Sequence, residues 1–289
     1  MMTRIALGTV QFGMKYGISN QNGMVQSMEI KSILNNAYKL GVDTLDTAIN
    51  YQDSEKNLGQ NDLSKFKIIT KIPAIPENVH DIFEWYSTQL NLSIKRLSVQ
   101  KIYGLLLHRS EDLIGNKGAL VFNTLVELKK SGIVNKIGIS VDSFDVANEL
   151  TKKYKFDLIQ FPFNIIDRRL IKSGILKRLK DKDYEIHTRS TFLQGLLLMD
   201  ESERPSKFLK WNDTWKELSN WISKNSITTL QAAIQFPLSF PEIDKVIVGV
   251  QNSGQLIEIF NFASKKLIAN FPSTQCDDED LINPSRWNL

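Results

Sequence analysis

The chain has 289 residues, 42% of them hydrophobic and 24% charged, ordinary proportions for a globular protein and enough length for one large domain or two small ones. Its formal net charge of +4 comes from Lys and Arg residues spread along the chain, which argues against a nucleic-acid footprint, because that requires clustering on one face. The single cysteine, Cys276, excludes an intrachain disulfide and a multi-thiolate metal site and fits a reducing compartment. No run approaches the roughly 20 apolar residues of a membrane span, and no long apolar run follows Met1-Met2-Thr3-Arg4, so a soluble, cytoplasmic protein without membrane partners is expected.

Ile5 to Val10 reads as an opening strand, followed by a glycine-punctuated loop to Gly23. Ile30, Ile33, Leu34, Ala37 and Leu40 recur at helical spacing, which predicts a helix over residues 28–40 closed by Gly41. Val42 to Tyr51 is a short buried strand that delivers Asp46 and then Tyr51 at its exit. A brief helical segment spans 55–58, and Phe66 to Lys71 is an apolar strand ending in a lysine. A helix over 79–97 leads to Lys101–His108, a strand ending in a histidine. A helix over 119–130 ends at Gly132 and leads into the strand Val134–Ser140.

The alternation continues with a helix over 144–154, a strand Phe156–Phe161, a helix over 170–179 and a strand Tyr184–Arg189. A long segment with Pro205 follows, then helices over 215–224 and 229–238, the strand Lys245–Val248 and a helix over 256–266. The acidic run Asp277-Asp278-Glu279-Asp280 reads as a surface turn before a docked C-terminus. Eight strands separated by helices favour a parallel sheet, since parallel strands need crossover connections. Eight such units fit a closed (β/α)8 barrel, expected as a single domain over 1–289, better than an open sheet. A Gly-x-Gly-x-x-Gly fingerprint after the first strand is missing.

In a closed parallel barrel the C-terminal strand ends meet at one mouth, where the catalytic groups of this fold sit. Asp46, Lys71 and His108 stand at successive strand ends and Tyr51 follows the first of them, so the four converge. Each alone has a structural explanation: a turn aspartate, a snorkelling lysine, a core histidine. Together, at matching topological positions, they read as a site. A free phenol titrates at roughly 10, and a nearby cation makes a phenol a better acid at working pH. A carboxylate would keep the ammonium charged and aimed, and an imidazole across the site would orient a carbonyl. No metal-ligand motif is present. Proton donation to a carbonyl oxygen implies a hydride or a nucleophile arriving at carbon; no side chain supplies hydride, so a nicotinamide cofactor would have to.

These residues resemble the aldo-keto reductase superfamily, and the resemblance covers nearly the whole chain. Gly8-Thr9, Asp46-Thr47-Ala48 followed by Tyr51, Lys71 and His108 match its ordered motifs. The resemblance implies Tyr51 as general acid, Lys71 and Asp46 as its tuning pair, and His108 as the group that orients the carbonyl. It implies nicotinamide contacts at Ser140 and Gln160, and a pyrophosphate loop from Ser190 through Phe192, Leu193 and Gly195. It further implies adenosine contacts at Gly249, Gln251, Gln255 and Glu258.

Three departures bear on the cofactor. Arg189 stands where many members stack an aromatic ring on the nicotinamide, and a planar guanidinium also stacks. Gln251 stands where many members carry an Arg for the NADP 2′-phosphate, and Asn252 and Ile259 replace other polar or basic adenosine contacts. NADP remains the expected cofactor if nearby lysines compensate, with NAD as the alternative. The substrate pocket is expected at Gln11-Phe12, Tyr51, the loop after His108 and residues 199–215, with the charged segment 200–210 as a candidate lid. The resulting expectation is an NAD(P)H-dependent oxidoreductase acting on a small aldehyde, ketone or sugar-like carbonyl compound. The alternatives are a nicotinamide-binding sensor with negligible turnover, and a lyase or isomerase on the same barrel that needs no nicotinamide.

Overall fold

The computed structural model describes residues 3–287. Eight strands form its sheet: β1 (Ile5–Gly8), β2 (Thr44–Asp46), β3 (Lys67–Ile72), β4 (Ile102–Leu107), β5 (Val134–Ser140), β6 (Leu158–Pro162), β7 (Glu185–Arg189) and β8 (Lys245–Gly249). They pair in chain order, all parallel, and β8 returns to β1 with Ile5 opposite Val246 and Gly8 opposite Gly249, so the barrel closes. The chain is therefore a (β/α)8 barrel. Its strands are buried on both faces, and that is why they read as near-continuous apolar runs rather than alternating ones.

The helices are α1 (Ser27–Lys39), α2 (Ser54–Leu58), α3 (Ile82–Leu97), α4 (Gly118–Lys130), α5 (Phe144–Lys153), α6 (Arg169–Lys172), α7 (Ile175–Lys180), α8 (Asn212–Lys224), α9 (Thr229–Leu238), α10 (Ser253–Ala263) and α11 (Glu279–Ile282). The apolar stripe of α1, Ile30, Ile33, Leu34 and Ala37, is fully buried, as its spacing requires. Where boundaries differ from the periodic reading, capping explains the shift. α3 starts at Ile82 because the Asp81 side chain accepts the Glu84 N–H at 2.9 Å. The helix expected over 170–179 divides in two at Gly174, whose φ of +65° lies in the left-handed region. The acidic run near the C-terminus is a cap and a short helix rather than a plain turn: Asp278 caps α11, and Leu281, Ile282 and Trp287 behind it are buried.

Side chains two apart on a strand share a face, and this sorts the barrel interior into layers. At the N-terminal end, Lys67 and Lys245 both pair with Asp43, and Lys136 pairs with Glu185, which also accepts the Tyr103 hydroxyl at 2.8 Å. Above these groups Ile69, Leu106 and Leu158 form a small apolar cluster, separate from the larger core under the helices. One step further along the same strand faces come Lys71, His108 and Gln160, at the C-terminal mouth. The plug beneath them keeps water away from the floor of the mouth, so charges placed there interact strongly.

Candidate active site

The segment after β2 keeps bonding to β3 beyond the regular strand. Thr47 N–H donates to the Ile69 carbonyl at 2.8 Å and Ile49 N–H to the Lys71 carbonyl at 3.1 Å. A tight turn, Tyr51 N–H to the Ala48 carbonyl at 3.0 Å, then directs Tyr51 over the mouth. α2 holds the turn in place. The buried Ser54 hydroxyl donates to the Thr9 carbonyl at 2.8 Å and lies within 3.1 Å of the Thr9 and Thr47 hydroxyls. Gly13 is required here because a Cβ at that position would sit 1.9 Å from the Tyr51 carbonyl oxygen.

Lys71 is 1% exposed. Its ammonium donates to Asp46 Oδ1 at 2.5 Å and to the Thr47 carbonyl at 2.9 Å, and Nζ lies 5.2 Å from the Tyr51 ring centroid. Burial opposes the charged ammonium, but Asp46 outweighs it and holds the Lys71 pKa above the usual lysine value. The second carboxylate oxygen of Asp46 accepts from Gln160 Nε2 at 2.8 Å, so both oxygens are engaged. His108 N–H extends the β3–β4 ladder to the Ile72 carbonyl, and the imidazole meets the Tyr51 ring edge-on at 5.9 Å between centroids. Burial, then the nearby Lys71 and Arg189 cations, push His108 down to about 4, so the ring is neutral at physiological pH. Its Nδ1 is buried without a hydrogen-bond partner among the described residues.

These four side chains line a cavity of about 520 Å³ that runs away from them to the start of α10. Gly8, Thr9, Ser140, Arg189, Ser190, Phe192, Gly195, Gly249, Gln251, Gln255 and Glu258, all anticipated from the sequence, line it. Two anticipated residues do not. The Gln160 side chain is fully buried and spent on Asp46, and Leu193 turns into the core at 0% exposure. The substrate-pocket expectation is corrected in the same way. Gln11 and Tyr51 line the cavity, but Phe12 is core, and neither the loop after His108 nor residues 199–215 reach it.

The segment 200–210 is anchored rather than lid-like. Phe208 is fully buried against Trp287, the Trp215 indole donates to the Phe208 carbonyl at 2.9 Å, and Arg204 lies over the Trp215 ring. The cover comes instead from the β1–α1 loop. Ile18 N–H donates to the Gln194 carbonyl at 3.0 Å, Gln194 Nε2 reaches the Tyr16 hydroxyl at 3.3 Å, and Asn22 Nδ2 reaches Gln251 at 3.2 Å. Tyr16, Gly17 and Ser19 of this loop, and Asp142 after β5, line the cavity although no strand-end pattern marked them, and Gln194 of the stretch anticipated after Ser190 lines it too.

After β7 the backbone enters the left-handed region at Ser190, Leu193, Gln194 and Gly195, and the Leu193 and Gly195 N–H groups close turns onto the Ser190 and Phe192 carbonyls at 2.9 Å. Asn164 ties this stretch down through the Ser190 carbonyl at 3.0 Å. Arg189 is held across the mouth by Asp142 Oδ1 at 2.6 Å and by the Val141 carbonyl at 3.3 Å. Cavity size and the unpartnered His108 Nδ1 and Gln11 Oε1 together fit an elongated polar cofactor with room for a small molecule at one end. Among the described residues no cluster of His, Cys, Asp and Glu could hold a metal ion, and no helix is long and apolar enough to cross a membrane.

A family model described as "Aldo/keto reductase family" matches residues 4–272. A search of curated protein sequences finds no match. Among solved structures, an aldo-keto reductase from Pseudomonas aeruginosa aligns at 19% identity and a TM-score of 0.67, covering 91% of this chain and 90% of that one. The holo form of the aldo-keto reductase AKR11C1 from Bacillus halodurans aligns at 18% identity and a TM-score of 0.73, covering 93% and 89%.

Proposed function

The chain belongs to the aldo/keto reductase family, and on that premise we propose that it is a nicotinamide-dependent oxidoreductase interconverting a small polar carbonyl compound and its alcohol. The observation that carries this reading is the placement of Lys71: buried, bound to Asp46 and the Thr47 carbonyl, and close under the Tyr51 ring in the cavity wall. The cofactor supplies hydride to the carbonyl carbon when bound. Gly8, Thr9, Ser140, Arg189 and the left-handed stretch after it would hold it, with its nicotinamide end at the mouth.

In reduction, the Tyr51 hydroxyl donates its proton to the substrate oxygen as negative charge develops there. The Lys71 ammonium, kept charged by Asp46, stabilises the phenolate that remains. The neutral His108 imidazole hydrogen-bonds the carbonyl and fixes its orientation without offering a competing positive charge. Oxidation of the alcohol runs these transfers in reverse. Tyr16, Gln194 and Asp142 frame the tetrad end: Tyr16 is bonded to Gln194, and Asp142 is bonded to Arg189. These groups suit hydroxyl-bearing, sugar-like carbonyl compounds better than flat aromatic ones.

The test is a panel of aldehydes, ketones and aldoses with reduced nicotinamide, run beside fluorescence titration of the cofactor. Turnover that requires Tyr51 supports the reading. Tight cofactor binding with no turnover across the panel favours a sensor, and absence of cofactor binding removes the reading altogether.

A further inference from the structure

The cavity end furthest from Tyr51 is built by Gly249 and the start of α10, and its charge distribution bears on which nicotinamide dinucleotide the chain takes. With the nicotinamide at the tetrad, as proposed above, the adenosine ribose falls at this end. NADP differs from NAD there by a 2′-phosphate, a dianion that needs a guanidinium, an ammonium or free helix N-terminal N–H groups. Lys71 and Arg189 are the only basic residues among the described residues lining the cavity. Both lie at the opposite end, paired with Asp46 and Asp142. The compensating lysines on which an NADP preference would depend do not line the wall.

The N-terminus of α10 is also occupied. Glu29 Oε1, from α1, accepts the Ser253 N–H at 2.6 Å, placing a carboxylate of the protein where a phosphate would otherwise be drawn. Asn252 Oδ1 accepts the Gln255 N–H at 2.9 Å, and Gln255 Oε1 accepts the Gln251 N–H at 2.8 Å. On the next turn Glu258 lines the same end and forms no ion pair among the described residues. A free carboxylate accepts a hydrogen bond from a ribose hydroxyl but repels a phosphate. A lining carboxylate, no lining cation, and helix N–H groups already taken by Glu29 and Asn252 thus meet at the end where the two dinucleotides differ.

We propose that this chain selects NADH over NADPH, with Glu29 and Glu258 as the residues that exclude the 2′-phosphate. The proposal rests on the oxidoreductase reading of the cavity. Its test is fluorescence titration of the full-length protein with NADH and with NADPH, at low and high salt. Wild type is expected to bind NADH more tightly by about tenfold or more, with the gap narrowing as salt screens the carboxylates.

Glu258→Gln alone, and Gln255→Arg combined with Glu29→Gln, should each raise the ratio of NADPH to NADH affinity, the latter by about tenfold. Thermal melts with each nucleotide report whether the variants remain folded. NADPH binding as tight as NADH or tighter, or variants that shift both nucleotides equally, overturns the selectivity and leaves the oxidoreductase reading standing. Binding of neither nucleotide overturns both.

Discussion

Replacing Lys71 by Met separates the energetics of the site from its chemistry. Asp46 and Lys71 expose 5% and 1% of their side chains, so the ion pair lies beyond the screening that makes surface pairs weak. Removing the ammonium leaves a buried carboxylate with one oxygen on Gln160 and the other without its partner at 2.5 Å. Breaking a buried pair in this way costs about 3–5 kcal/mol. Adding Asp46→Asn removes the stranded charge, and the introduced amide offers a donor towards the Thr47 carbonyl that Lys71 vacates. The double variant should recover about 2–3 kcal/mol, a coupling typical of groups in direct contact. Equilibrium urea unfolding of the four proteins of the cycle measures this, and reductase turnover is read in parallel. Both single variants and the double variant should lack turnover, although the double is only about 1–2 kcal/mol less stable than wild type. A Lys71→Met penalty below about 1 kcal/mol, or a double variant no more stable than that single one, would refute the buried-pair account.

Three further outcomes follow from the geometry. His108 is held at about 4 in the folded chain against its ordinary 6.5, so the unfolded state takes up a proton first as pH falls. Stability is unaffected above 6.5 and declines by about 3 kcal/mol between 6.5 and 4; His108→Leu should flatten that part of a urea-midpoint profile against pH. Gln160→Leu removes the donor to Asp46 Oδ2 and should cost about 1.5–3 kcal/mol. Its turnover should fall while cofactor affinity in fluorescence titration holds, because the side chain is buried against Asp46 rather than facing the cavity. Gly13→Ala forces a methyl group to within 1.9 Å of the Tyr51 carbonyl oxygen. It should lower kcat by displacing the Tyr51 turn, with KM for the cofactor little changed, as steady-state kinetics will show.

The strand ends were legible because a parallel strand buried on both faces must be apolar until it reaches the mouth. The residue that breaks the run, Lys71 or His108, therefore marks the mouth of the barrel. Tyr51 was legible through its spacing from Asp46. The cover over the cavity was not, because its contacts join Ile18 to Gln194 and Asn22 to Gln251, distant segments that no local period connects. The bond from Gln160 was hidden for the same reason: its partner, Asp46, lies across the barrel, and the chain length between them conceals the contact. The segment 200–210 looks mobile by composition, yet one buried aromatic, Phe208, packed against Trp287 and Trp211 with its carbonyl held by the Trp215 indole, outweighs its charged and proline residues. Likewise Glu29, an unremarked acid on the first turn of α1, acquires significance only through the Ser253 N–H that it meets.

The central claim is that the Tyr51 hydroxyl gives the proton, while its ring remains part of the cavity wall. The most direct measurement is single-turnover oxidation of bound reduced nicotinamide by an aldehyde in wild type and in Tyr51→Phe, followed by the loss of reduced-nicotinamide absorbance. The account predicts cofactor affinity within about threefold of wild type and a hydride-transfer rate lower by about 10²-fold or more, the range expected for loss of a general acid. An unchanged rate in Tyr51→Phe would contradict it.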